Sequence, residues 1–185
     1  MAGERTPHEC EDWLRATFDP LGVSRIDTWP DLNERDLEEL TQAGGLYIGG
    51  GNTFRLLDEL QRANAREILL AVQSSLPIYG GSAGAAVLGA TIETICHLDP
   101  NDVGLETLTA MDLLGGASVW VHYEPADHER IEEFLRRQDE TLLFALPTDG
   151  GVVVDGQSVR SAGFSASRIM GSHEIELAPG EAVRL

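Results

Sequence analysis

A serine at position 82 stands inside Gly80-Gly81-Ser82-Ala83-Gly84, directly after a short apolar run that includes Leu76, Ile78 and Tyr79. The spacing is that of G-x-S-x-G, a nucleophile elbow, in which the chain turns sharply from strand to helix. Small residues are required at the flanking positions because bulk there would collide with the strand or the helix. Such a turn lifts the hydroxyl to the carboxyl edge of a sheet. It also places it at a helix N-terminus, where free N–H groups favour developing negative charge. Small residues also serve tight packing, so the motif alone leaves a turn residue, a helix cap and a nucleophile all open.

A second cluster, Gly49-Gly50-Gly51-Asn52-Thr53, follows Gly45-Leu46-Tyr47-Ile48 and opens another helical pattern. Adjacent parallel strands would bring the two turns together, and the N–H groups of Gly51 and Ala83 would then form an oxyanion hole. The rival is a phosphate cradle, but GGGNT lacks the lysine of a P-loop and the spacing of a dinucleotide site. A serine nucleophile needs a base. Of the five histidines, His122 ends the strand-like Val119-Trp120-Val121 and so reaches the same edge, with His97 as second choice. His8, His128 and His173 lie in polar or late-turn surroundings. The base in turn needs an orienting carboxylate. Asp149, in Leu146-Pro147-Thr148-Asp149-Gly150, is preferred; Asp99 and Asp102 compete, and Pro-Thr-Asp-Gly is also good turn chemistry by itself. No HExxH or similar spacing calls for a metal, and no cofactor is expected.

The elements that must position these groups alternate. Helical spacing over Glu9–Phe18 ends at Asp19-Pro20-Leu21-Gly22. Strands are predicted over Val23–Thr28, 45–48, Leu76–Tyr79, Val119–His122 and Leu142–Ala145. Helices are predicted over Leu32–Ala43 (capped by Asp31), Thr53–Ala71, from Ser82 onward, and over Asp127–Arg137, with hairpins from Gly151 on. The pattern argues an α/β domain with a mostly parallel sheet and helices on both faces. At 185 residues the chain is read as one domain, 1–185.

Acidic residues outnumber basic ones 31 to 13, for a net charge of −18, which repels phosphate backbones and argues against nucleic acid. No apolar run is long enough to span a membrane, and the charged start is unlike a signal peptide. Cys10 and Cys96 form no disulfide framework, which suggests a reducing cytoplasm.

The set Tyr47-Ile48-Gly49-Gly50-Gly51-Asn52-Thr53-Phe54, Gly80-Gly81-Ser82-Ala83-Gly84-Ala85 and His122 resembles the S51 family of serine peptidases, which includes aspartyl dipeptidases and cyanophycinases. The paired motifs are far more specific than either alone, and the likeness runs from about Glu9 to near the C-terminus. It implies a three-layer αβα sandwich similar to class I glutamine amidotransferases, with the family's first strand missing here. It implies Ser82 as nucleophile, His122 as base, Gly51 and Ala83 as oxyanion donors, and a short peptide as substrate. Gly50, Asn52, Gly81, Asp127 and Arg130 become the expected substrate-binding positions. A homodimer is implied as well. Aspartyl-specific members carry an arginine where Asp127 aligns here, so specificity for N-terminal Asp is in doubt; Arg130 or Arg168 is the available substitute. An esterase or amidase on the same elbow, or an inactive peptide-binding homologue, are the alternatives.

Overall fold

The computed structural model describes residues 6–32, 35–138 and 142–185. Helix α1, Pro7–Phe18, opens with a capping box in which Thr6 and Glu9 each accept the other's backbone N–H. It ends at the expected place, where Gly22 takes φ 85°. Strand β1 (Leu46–Ile48), helices α2 (Thr53–Arg62) and α3 (Ala65–Val72), strand β2 (Ile78–Gly80) and helix α4 (Ala83–Leu88) follow. Strand β3 (Ser118–Val121), helix α5 (His128–Arg137) and strand β4 (Leu143–Leu146) come next. The chain closes with β5 (Gly150–Asp155), β6 (Ser158–Gly163), β7 (Ser167–Met170), β8 (Ile175–Leu177) and β9 (Ala182–Arg184).

Three expected elements differ. Val23–Thr28 is not a strand: these residues are mostly exposed and find no ladder partner, and a strand without a partner or a buried face has nothing to hold it. Of the helix expected over Leu32–Ala43, residues 33–34 lie outside the described residues, and 35–43 hold a short 3-10 turn, Leu37–Gln42, capped by Asp36, whose Oδ1 accepts the Glu38 N–H at 3.0 Å. The helix expected over Thr53–Ala71 breaks in two at Asn64, which sits at φ 50°. Asparagine tolerates that left-handed geometry where most residues do not.

The sheets are mixed. β1 pairs with β2 in parallel, and β3 with β4 in parallel. β4–β7 and β7–β8 are antiparallel, as are β5–β6 and β6–β9. Among the described residues, the expected mostly parallel sheet is therefore replaced by a mixed α/β arrangement. Parallel pairing is confined to the strand pairs separated by helical crossovers. The consecutive pairs β5–β6 and β7–β8 are joined by a few residues each, and short connections permit only antiparallel neighbours.

Alternate residues of the β3–β4–β7–β8 sheet feed two apolar clusters. Val119, Val121, Phe144 and Ile169 join the larger one with Leu57, Val87 and Ile95. Trp120, Leu143, Ala145 and Met170 point the other way, onto Ile131 and Phe134 of α5. β3 is buried along its whole length, so its end is a rigid place from which to present a side chain. No helix among the described residues is long and apolar enough to cross a membrane.

Candidate active site

Strand β2 delivers the chain to Ser82, which takes φ 53° and ψ −116°, and α4 begins at the next residue. A non-glycine residue in that region costs roughly 1–3 kcal/mol and persists only where its surroundings enforce it. The enforcement here is close backbone packing. A Cβ on Gly80 would stand 2.5 Å from the Gly84 carbonyl oxygen, and one on Gly84 would stand 1.9 Å from that of Ile48. The first turn of α4 thus lies directly on the end of β1.

The glycine loop after β1 meets the elbow from the other side. The register Ile48↔Gly80 ends both strands at one level, and the Gly81 N–H donates to the Ile48 carbonyl at 3.0 Å. A Cβ on Gly50 would lie 3.2 Å from the Ser82 Cβ, and one on Gly81 would lie 2.7 Å from the Tyr47 hydroxyl. Gly51 adopts φ 145°, open to glycine and strained for any other residue. Among the described residues, neither the Gly51 nor the Ala83 N–H donates to a backbone carbonyl, so both stay available to a third party. Asn52 caps α2, its side-chain oxygen accepting the Arg55 N–H at 3.0 Å, and its amide donates to the Pro100 carbonyl at 2.9 Å.

His122 follows β3 directly and also takes a left-handed φ, 55°. Its Nε2 lies 2.8 Å from Ser82 Oγ. Both side chains belong to exposed residues, so a ligand can reach them. The other ring nitrogen, Nδ1, lies 3.1 Å from Thr148 Oγ1. The strand pairing explains the meeting. Val121 pairs with Leu146 in parallel, and the Tyr123 N–H donates to the Leu146 carbonyl at 2.9 Å, which brings the residues after β3 and β4 to one edge.

Of the residues expected to orient the base, Asp149 stands at that corner, but no hydrogen bond joins its carboxylate to His122; its main-chain carbonyl accepts the Phe164 N–H at 2.8 Å. Asp99 holds the start of α2, accepting the Thr53 N–H at 2.8 Å and hydroxyl at 2.6 Å. Asp102 is paired with Arg55, whose hydrogen bond holds its carboxyl below the usual carboxylate range. Thr148 is the residue missed by sequence reasoning. A threonine beside an aspartate in a proline turn carries no signal of its own, and only the direction of the turn shows which of the two faces the ring.

The expected substrate-binding charges are not joined to the dyad by any hydrogen bond or ion pair among the described residues. Asp127 accepts the Glu124 N–H at 3.0 Å and has Arg130 at 3.8 Å. Arg168 is paired with Glu174 and Glu176 and lies over the Tyr123 ring. His97 stacks on Trp120, ring centroids 4.7 Å apart; burial lowers its pKa, opposed by the charge of Asp127. Cys96 directs its thiol at the Ile92 carbonyl, 3.8 Å away, and burial pushes its pKa up.

The model of peptidase family S51 matches residues 8–162. Peptidase E of Haemophilus influenzae Rd is 31% identical over 155 residues, 77% of this chain and 68% of that protein. Peptidase E of Actinobacillus pleuropneumoniae serotype 5b is 28% identical over 171 residues, 86% and 70% of the two chains. A crystal structure of a candidate peptidase E protein from Listeria monocytogenes EGD-e superposes with a TM-score of 0.65 at 26% identity, covering 88% of this chain and 81% of that one. The fold is also that of a peptidase from an acI-B1 actinobacterium, TM-score 0.73 at 21% identity, covering 100% and 80%.

Proposed function

The chain belongs to peptidase family S51, and from that premise we propose that it hydrolyses short peptides in the cytoplasm, as a homodimer, by acyl transfer through Ser82. The observation that carries this reading is the 2.8 Å contact between Ser82 Oγ and His122 Nε2, made by two residues both held at left-handed φ. The family's three-layer αβα architecture goes with it, supported by apolar clusters on opposite faces of the β3–β4 sheet.

His122 Nε2 takes the hydroxyl proton as Ser82 Oγ attacks the peptide carbonyl. The free N–H groups of Gly51 and Ala83 receive the negative charge that develops on the carbonyl oxygen. The imidazolium then gives its proton to the leaving nitrogen, and the amine departs with an acyl-enzyme left on Ser82. Water, deprotonated by the same Nε2, releases the acid. The group that orients His122 comes from the corner after β4, which carries both Thr148 and the expected Asp149. Gly50 and Gly81, on the two turns that meet at Ser82, and Asn52, at the start of α2, contact the substrate's main chain.

Specificity for N-terminal Asp is not favoured. Arg130 faces Asp127, Arg168 is held by two glutamates, and the net charge of −18 repels acidic peptides at long range. Digestion of a mixed library of short peptides by wild type and Ser82→Ala, read by mass spectrometry, tests the proposal. Cleavage by the wild type should fall by roughly 10³-fold or more in the variant, with neutral or basic N-terminal residues preferred over Asp. Undiminished cleavage by Ser82→Ala overturns it. Turnover confined to p-nitrophenyl esters would move the assignment to an esterase.

A further inference from the structure

We propose that Thr148, and not a carboxylate, is the residue that positions His122. The inference rests on the reading of Ser82 and His122 as nucleophile and base, and it specifies how that base is held. An imidazole can accept the serine proton at Nε2 only when its own proton sits on Nδ1, so something must take a hydrogen bond from Nδ1. The group at that nitrogen is the Thr148 hydroxyl, 3.1 Å away. Its oxygen accepts the Nδ1–H, and its own hydrogen rotates freely toward solvent.

Of the three carboxylates with a claim to the role, Asp99 is engaged with Thr53 and Asp102 with Arg55, and the Asp149 carboxylate makes no hydrogen bond to the ring, whose Nδ1 meets Thr148 instead. The corner carrying Thr148 and Asp149 has little freedom to exchange one for the other. The Gly150 N–H closes the turn onto the Pro147 carbonyl at 3.1 Å, and the Phe164 N–H ties down the Asp149 carbonyl. A Cβ on Gly150 would lie 2.8 Å from the Ser165 carbonyl oxygen, and one on Gly163 would lie 2.4 Å from that of Asp149. Turning the corner to bring Asp149 onto the ring would have to displace this packed backbone.

A hydroxyl and a carboxylate do different work at this position. Both fix the tautomer and the ring plane, but only the carboxylate stabilises the imidazolium by charge. In the acylation step the proton moves from Ser82 Oγ to Nε2, Nδ1 keeps its hydrogen, and the ring carries the full positive charge until Nε2 protonates the leaving nitrogen. Thr148 remains neutral throughout. It is a positioning residue: it touches neither substrate nor reacting atoms.

The test is steady-state hydrolysis of a peptide identified from the library by wild type, Thr148→Val, Thr148→Ala, Thr148→Ser and Asp149→Asn, with Ser82→Ala as reference and far-UV circular dichroism to confirm folding. In parallel, the ring-nitrogen ¹⁵N shifts of His122 report its tautomer without any turnover. Thr148→Val should lower kcat about tenfold or more, the worth of one orienting hydrogen bond, while KM changes little. Thr148→Ala should do the same, and Thr148→Ser should restore the rate. The ¹⁵N shifts should show the Nδ1–H form in wild type and Thr148→Ser, and a mixture with the Nε2–H form in the valine variant. Wild-type kcat and tautomer in both Thr148→Val and Thr148→Ala overturn the inference, as does a loss in Asp149→Asn equal to or greater than theirs. Failure of the broader reading is distinct: Ser82→Ala would then retain hydrolysis.

Discussion

Four non-glycine residues among those described take a left-handed φ, and two of them are Ser82 and His122, the two that meet. Strain of that kind needs support, and at Ser82 it comes from glycines whose missing side chains let backbone lie on backbone. Gly84 is the sharpest case. Ala in its place would set a methyl 1.9 Å from the Ile48 carbonyl oxygen, forcing α4 off the end of β1. Gly84→Ala should therefore destabilise the fold by roughly 1–3 kcal/mol, the usual cost of overpacking, seen as a lower urea midpoint, and should depress kcat in the protein that remains folded. A wild-type midpoint and rate would show that the elbow is not held in this way. At this scale the sequence is informative where chemistry and spacing coincide. G-x-S-x-G and the end of an apolar run mark Ser82 and His122, and their contact follows once β2 and β3 are placed. Thr148 is invisible because a hydroxyl in a turn has many ordinary uses.

Among the elements, α2 matters most after the elbow, since the Gly49–Gly51 loop beside Ser82 leads straight into it. Its N-terminus is strapped to residues 99–102. The Asp99 carboxylate takes the Thr53 N–H and hydroxyl, the Asn52 amide reaches the Pro100 carbonyl, and Arg55 pairs with Asp102. Asp99→Ala leaves the N–H and hydroxyl of buried Thr53 without their acceptor and should cost roughly 1–3 kcal/mol, read as a drop in Tm, with a modest fall in kcat/KM as the Gly49–Gly51 loop loosens. A loss of several orders of magnitude, matching Ser82→Ala, would instead make Asp99 part of the proton relay. The sequence discloses most of the elements themselves: α1, β1 to β4 and α5 lie within a residue or two of their expected places. It misses those decided by partners. Val23–Thr28 has strand composition but no neighbour, and Asn64 divides a pattern whose apolar spacing runs on unbroken, because an asparagine does not announce a left-handed turn.

At the scale of the whole molecule, the mixed sheet was hidden for a related reason. Hydropathy reports which strands are buried but not which way their neighbours run, and the late strands are short enough to read as any hairpin. Ser82 follows a strand of the two-stranded β1–β2 sheet, whereas His122 and Thr148 follow strands of a separate four-stranded sheet, and α4 packs between them. The β1–β2 ladder spans only three residue pairs. Local openings of such small units require less free energy than global unfolding. Warming should thus part Ser82 from His122 while the rest of the chain is still intact, so the proposed hydrolysis would fade several degrees below the calorimetric melt and return on cooling. Coincidence of the two temperatures would mean that both sheets let go together.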